Sequence, residues 1–228
     1  MTWWVALALG AALGAAPVVA LRGWLAGAAY RYADELDRPR RRTGWLMPAA
    51  TGTGAALAGA WAPRPWVAVV YAACAGPLVI LAAIDADVQR LPNQWTKPSW
   101  IVVPVALLGV AVAEGNGLQP WWRALVAGVA LGMAYLALAL LGGASGIGAG
   151  DVKLAPSLGA LLGFLSVTHV LASVVVTFLV GGVAALVLLL RGRGRKARFA
   201  FGPFMILGAV LVLAGPLVGR LVGRLVEG

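Results

Sequence analysis

Apolar stretches of helical length alternate along this 228-residue chain with short polar segments. An α-helix rises about 1.5 Å per residue, so roughly 20 apolar residues cross a hydrocarbon core about 30 Å thick. The pattern therefore predicts an all-α, polytopic membrane helix bundle with about eight transmembrane segments, the sixth of them short or re-entrant. The predicted segments cover roughly residues 3–29, 44–62, 66–84, 99–113, 121–141, 154–166, 168–190 and 201–218.

Composition supports this interpretation and excludes a soluble globular protein. Hydrophobic residues make up 61% of the chain and charged residues only 11%, whereas soluble domains are about a quarter charged. The first apolar run lacks the basic start of a signal peptide, so we expect it to be retained. No linker separates soluble domains, and residues 1–228 are predicted to form a single integral-membrane domain. The only cysteine, Cys74, lies inside an apolar run, which excludes a disulfide framework and a metal site built from thiolates.

The basic residues are distributed asymmetrically between the two sides of the predicted bundle. The segments at 31–44, 85–98, 146–154 and 191–198 hold five, two, one and five of them, thirteen of the 18 in the chain. The connections on the other side and the C-terminal end hold four. Because basic loops stay in the cytoplasm, the charges place these segments inside and both termini outside. The basic run RGRGRKAR is interpreted as such a loop in contact with lipid headgroups, and no nucleic-acid partner is expected.

Three of the eight acidic residues lie at the cytoplasmic edge of apolar runs. Asp85 directly follows PLVILAAI, Asp87 comes two residues later, and Asp151 follows Gly148 and Gly150. Carboxylates at such positions indicate a functional site by default. We expect Asp151 to lie in a glycine-containing loop, with the next helix beginning shortly before Pro156.

Two carboxyl groups at the same membrane depth can meet and act as a catalytic pair. At about 4 Å and an effective dielectric near 20, two negative charges repel by roughly 4 kcal/mol, so the pair holds one proton between them. One member then activates water and the other protonates the leaving amine. The residue types also fit a proton relay, pairing with lipid headgroups, or simple placement at the interface.

Three motifs together resemble the type IV prepilin peptidases, which belong to the GxGD group of intramembrane aspartic proteases. IDADVQRLPN (84–93) resembles the first family motif, an aspartate followed by proline and asparagine. GAGDVKL (148–154) matches GxGDxKL, and FGPF (201–204) resembles the start of the last span. The resemblance covers roughly residues 45 to 215.

The resemblance implies a role for each matching residue. It makes Asp85 and Asp151 the catalytic pair, with Asp87, Pro92, Asn93, Gly148, Gly150 and Lys153 as supporting motif residues. Lys153 either pairs with an anionic group or anchors at the headgroups. The implied substrate is a prepilin or pseudopilin, cleaved at the cytoplasmic boundary of the bacterial inner membrane by a multi-pass enzyme. Besides this substrate and membrane lipids, no partner is implied.

The chain departs from many bacterial members in the segment after the first span. Those members carry two CxxC pairs that bind zinc, and they methylate the new N-terminus with S-adenosylmethionine. Here residues 31–43 form a short, arginine-rich loop without cysteine. We therefore expect no metal, no cofactor and a peptidase without methyltransferase activity. The same loop contains Asp34, Glu35 and Asp37, which we interpret as a candidate binding site for the basic leader.

Three other functions fit part of the pattern. A presenilin-like enzyme is disfavoured because isoleucine precedes Asp85 and no PAL motif is present. A proton-coupled transporter would place its carboxylates nearer the midplane of the membrane. A non-cleaving relative that serves as a scaffold for pilus assembly remains open.

Overall fold

The computed structural model describes residues 2–37, 43–115, 117–142, 148–191 and 200–227. Within these ranges the chain forms helices and no strand, which confirms the predicted all-α fold. A short 3-10 turn at Ala33–Glu35 follows the second helix. The α-helices are α1 (Trp3–Ala20), α2 (Arg22–Ala26), α3 (Leu46–Ala60), α4 (Pro65–Val88), α5 (Asn93–Glu114), α6 (Gln119–Gly142), α7 (Ala149–Leu165), α8 (Val167–Leu190) and α9 (Gly202–Glu227).

Six of these helices are long and apolar enough to cross a membrane. They are α1, α4, α5, α6, α8 and α9, and they make this a multi-pass membrane protein. The other two predicted segments correspond to α3 and α7, which have 15 and 17 residues. Both are shorter than the roughly 20 residues that a full crossing needs. Eight crossings therefore remain a prediction.

The chain divides into two compact units, Met1–Ala83 with Leu213–Gly228 and Ile84–Val212. In the first unit, α1 and α3 pack through small residues. Gly10 and Gly14 lie against the backbone of Ala50 and Gly54, where added side chains would collide. Close backbone approach of this kind supplies the packing energy that helices in lipid lack from the hydrophobic effect.

In the second unit, α6 and α7 pack in the same way. A side chain added at Gly128 or at Gly132 would meet an atom of Pro156 at 2.8 Å. Further along, one added at Gly159 would meet the carbonyl oxygen of Ala127 at 2.7 Å. The glycines of the two helices therefore fix α7 directly against α6.

The C-terminal end of α7 is capped by an arginine from α6. Arg123 Nε donates to the carbonyl oxygen of Gly163 at 2.7 Å, and Nη2 donates to those of Phe164 and Leu165 at 2.6 and 2.8 Å. The last carbonyls of a helix lack partners within it. One guanidinium satisfies three of them here, so this short helix ends without unpaired carbonyls at these positions.

Several predicted boundaries were wrong. The segment predicted at 3–29 is divided at Leu21 into α1 and α2, and α9 continues beyond residue 218 to Glu227. Two other helices begin well before their predicted segments. α7 begins at Ala149 rather than near residue 154, so Asp151 lies in the first helical turn and not in a loop before it. Similarly, α5 begins at Asn93 rather than at residue 99. In both cases the prediction followed the apolar residues, whereas the helical hydrogen bonds extend into the polar residues at the membrane edge.

Candidate active site

Asp85 and Asp151 occupy opposite ends of their helices. Asp85 lies in the last turn of α4, and Asp151 lies in the first turn of α7. Each is only 4% exposed. A carboxyl group shielded to this degree needs hydrogen-bond partners or a proton to offset the lost hydration.

The two carboxyl groups converge on Gly202, the first residue of α9. A methyl group built on Gly202 would lie 2.7 Å from Asp85 Oδ2 and 3.2 Å from Asp151 Oδ1. The distance between Asp85 Oδ2 and Asp151 Oδ1 therefore cannot exceed the sum of these two distances. Three elements that are remote in sequence meet at this point, and only glycine leaves room for both carboxyls.

Each carboxyl accepts a hydrogen bond from the backbone at a helix N-terminus. Gly202 donates its N–H to Asp85 Oδ2 at 3.2 Å, and Gly148 donates its N–H to Asp151 Oδ2 at 3.2 Å. The first N–H groups of a helix have no partner within it, and the helix dipole is positive there. Both termini thus stabilise negative charge on the pair, while Asp151 Oδ1 lies beside Gly202.

The two aspartate motifs are also joined to each other. A side chain at Gly150 would meet the backbone nitrogen of Leu91 at 3.2 Å, so the two segments touch. Lys153 Nζ donates to Asn93 Oδ1 at 2.8 Å. These contacts link the start of α7 to Leu91 and the start of α5.

Further hydrogen bonds connect α5 and α7 beyond the motifs. Trp100 Nε1 donates to the carbonyl oxygen of Lys153 at 2.7 Å, and the hydroxyls of Ser99 and Ser157 lie 2.7 Å apart. Pro92 lies just before α5 as its N-cap, in extended conformation, and its carbonyl accepts from Thr96. The turn before it contains Gln89 with a positive φ of 56°.

The other acidic candidates lie outside this arrangement. Asp87 is half-buried on α4, and a separation of two residues turns it roughly to the other side of that helix. Glu35 is buried, and its Oε2 accepts the backbone N–H of Tyr32 at 2.8 Å. Asp37 is exposed, and the side chain of Asp34 lies outside the described residues.

Gly202 is the site residue to which the sequence analysis gave no role. FGPF was recognised as a motif, but nothing in the four letters indicates that its glycine contacts an aspartate 117 positions earlier. Among the residues that the structure describes, no group of three or more His, Cys, Asp or Glu side chains could hold a metal ion.

The arrangement provides the chemistry of an acid–base pair. Two buried carboxyl groups this close to Gly202 favour a state with one proton between them. Two negative charges would repel each other, and both would lack hydration. The ionised member can take a proton from water, and the protonated member can give one to a leaving group. The backbone donors hold one oxygen of each carboxyl and leave the other available.

Comparison with known proteins points to one family. The sequence model described as "Type IV leader peptidase family" matches residues 72–190, which include both aspartates. Over 150 residues the chain is 37% identical to a prepilin leader peptidase/N-methyltransferase of Neisseria gonorrhoeae, covering 64% of this chain and 48% of that protein.

Two further relatives carry the same name. The protein of Aeromonas hydrophila is 35% identical over 147 residues, covering 63% of this chain and 48% of the relative. That of Burkholderia pseudomallei (strain 1026b) is 33% identical over 171 residues, covering 71% of this chain and 52% of the relative. The chain spans about half the length of these curated relatives. No solved structure matches it.

Proposed function

The chain belongs to the type IV leader peptidase family, and we propose that it is an aspartic endopeptidase that removes the leader of a prepilin or pseudopilin. The observation that carries the proposal is the convergence of Asp85 and Asp151 on Gly202. The family match includes both aspartates, and the relatives bear the name of prepilin leader peptidases.

The proposed mechanism uses only the carboxyl pair and water. The ionised aspartate takes a proton from water while the water oxygen bonds to the carbonyl carbon of the peptide. The protonated aspartate then gives its proton to the amide nitrogen as the carbon–nitrogen bond breaks. The products are a carboxylic acid and an amine, and the pair again holds one proton. Because the pair acts as a unit, we assign neither role to one aspartate alone.

The proposed substrate has a short basic leader followed by an apolar helix, and its cleaved bond lies at the cytoplasmic membrane boundary. The end of α4 and the starts of α5, α7 and α9 carry the site residues. These ends lie in or next to the segments at 85–98, 146–154 and 191–198, which hold eight of the 18 basic residues. A site on the cytoplasmic side of the bacterial inner membrane follows from the positive-inside rule.

We propose peptidase activity without methyl transfer. The relatives are named for both activities, but the chain spans about half of their length. Its loop at 31–43 lacks the cysteines that many members use to bind zinc. Purified protein with labelled S-adenosylmethionine should leave the cleaved N-terminus unlabelled, and a labelled product would contradict this part of the proposal.

The decisive experiment replaces each aspartate with asparagine. The purified chain should cleave a synthetic peptide made of a basic leader, a glycine and about 20 apolar residues. Asp85→Asn and Asp151→Asn should each abolish cleavage, while Asp87→Asn should retain most of it. Cleavage by either of the first two variants would contradict the catalytic pair, and loss of a proton flux instead of cleavage would favour a transporter.

A further inference from the structure

Tyr135 of α6 lies within an aromatic cluster beside the carboxyl pair. Its side chain is 3% exposed. Its ring centroid lies 6.5 Å from that of Phe178 and 6.4 Å from that of Phe201, and these two are 5.4 Å apart. Phe201 directly precedes Gly202, the residue on which both carboxyls converge. The cluster therefore holds Tyr135 close to the site.

The register of α6 against α7 brings Tyr135 to the level of Asp151. From Ala124 to Gly132 along α6, the contacted residue on α7 changes from Gly163 to Pro156, so the helices run antiparallel. Tyr135 lies on the same face one turn beyond Gly132. On the antiparallel α7, the corresponding step from Pro156 leads back to the first helical turn, which contains Asp151.

The hydroxyl of Tyr135 is open although its ring is buried. Among the described residues, the Tyr135 hydroxyl has no hydrogen-bond partner. Every side-chain nitrogen or oxygen atom in these residues that is fully shielded from solvent does have a partner. The hydroxyl oxygen must therefore retain some accessible surface. Buried polar side chains are nearly always paired, so an open donor beside a carboxyl pair indicates a place where a ligand binds.

We propose that the Tyr135 hydroxyl donates a hydrogen bond to the carbonyl oxygen of the peptide that is cleaved; this deepens, and rests on, the function proposed above. As water adds to the carbonyl carbon, that oxygen gains negative charge, and the hydroxyl stabilises it. The phenol keeps its proton throughout. When the carbon–nitrogen bond breaks, the carbonyl re-forms and the hydrogen bond weakens. Such a bond is stronger in the transition state than in the bound substrate, so it raises kcat.

The test is Tyr135→Phe in the full chain, assayed with the leader–glycine–apolar peptide. This substitution keeps the ring and removes only the hydroxyl. Loss of one donor to a developing oxyanion should lower kcat about 100-fold and change KM less than about threefold. A wild-type kcat would overturn the proposal, and so would a loss confined to KM, because the hydroxyl would then bind substrate and transition state equally.

Two control variants separate this role from packing. Tyr71→Phe makes the same chemical change at a tyrosine that is 1% exposed and lies in the other compact unit, and its kcat should match the wild type. Phe178→Leu loosens the ring cluster but keeps the hydroxyl, so it should lower the unfolding temperature with a smaller loss of kcat than Tyr135→Phe. A Phe178→Leu loss of kcat equal to that of Tyr135→Phe would overturn the proposal.

The aspartate variants distinguish failure of this inference from failure of the proposed function. If Asp85→Asn and Asp151→Asn are inactive and Tyr135→Phe is fully active, only the inference about the hydroxyl fails. If the asparagine variants cleave the peptide, the peptidase mechanism fails, and the role of Tyr135 fails with it.

Discussion

Gly202 donates its backbone N–H to Asp85 Oδ2 over 3.2 Å, across 117 positions of the chain. The same glycine faces Asp151, whose Oδ1 would lie 3.2 Å from a methyl group at that position. The start of α9 is therefore part of the site, although Gly202 lies outside both aspartate motifs and outside the residues that the family model matches.

Gly202→Ala should abolish most of the proposed activity without unfolding the protein. The new methyl group would lie 2.7 Å from Asp85 Oδ2, which is closer than real contacts allow. Rotation of the aspartate would relieve this collision and displace the reacting group. Misplacement by about 1 Å costs roughly 100-fold in rate, so we expect at least that loss in the cleavage assay, with unchanged helix content by circular dichroism.

Gly215→Ala is the matched control for this substitution. Gly215 lies on the same helix, and a methyl group there would have no neighbour within 4 Å. Its activity should equal that of the wild type. If Gly202→Ala were as active as Gly215→Ala, the glycine would not be required for the placement of the carboxyls.

The sequence predicted the helical fold and the aspartate pair better than it predicted the contacts that organise the pair. Apolar runs of known length determine helices in a membrane, so their existence could be inferred without a structure. The sequence could not predict the convergence of the carboxyls on Gly202 or the bond from Lys153 to Asn93, because each depends on how distant segments pack. The boundary of α7 was misplaced for a local reason: helix formation depends on backbone hydrogen bonds, and these continue into GAGD.

Lys153→Met should weaken the connection between the two aspartate motifs. It removes the bond from Lys153 Nζ to Asn93 Oδ1. Because this bond is exposed and water competes for both groups, it contributes about 1 kcal/mol, less than a shielded charged bond. We expect the free energy of unfolding in detergent to fall by about that amount. Because α7 would then hold Asp151 less firmly, kcat should fall several-fold with little change in KM.

A double-mutant cycle tests whether the two side chains act together. If they do, Asn93→Ala combined with Lys153→Met should be little worse than either change alone. Lys97→Met is the matched control, because Lys97 is exposed on the first turns of α5. Additive losses, or a loss that depends on anionic lipid, would favour a headgroup anchor instead.

Arg123→Ala should destabilise the second unit by removing the cap of α7. Three carbonyl oxygens, those of Gly163, Phe164 and Leu165, would lose a charged donor. Charged hydrogen bonds contribute about 1.5–3 kcal/mol, so we expect a loss of roughly 3 kcal/mol in unfolding free energy. Arg123→Lys should recover only part of it, since an ammonium group lacks the fork of a guanidinium. Equal unfolding temperatures for all three proteins would contradict this role.

The leader hypothesis is best tested at Asp37. Glu35 is buried and its carboxylate accepts the backbone N–H of Tyr32, so reversing its charge would disturb folding as well as binding. Asp37 is exposed, and Asp37→Lys should leave the fold intact. If this carboxylate attracts the leader, KM for a peptide with a basic leader should rise several-fold, and more at low salt because screening weakens such attraction. KM for a peptide with a neutral leader should not change. An equal effect on both peptides, or no effect on either, would exclude Asp37 from leader binding and leave the proposed peptidase site unaffected.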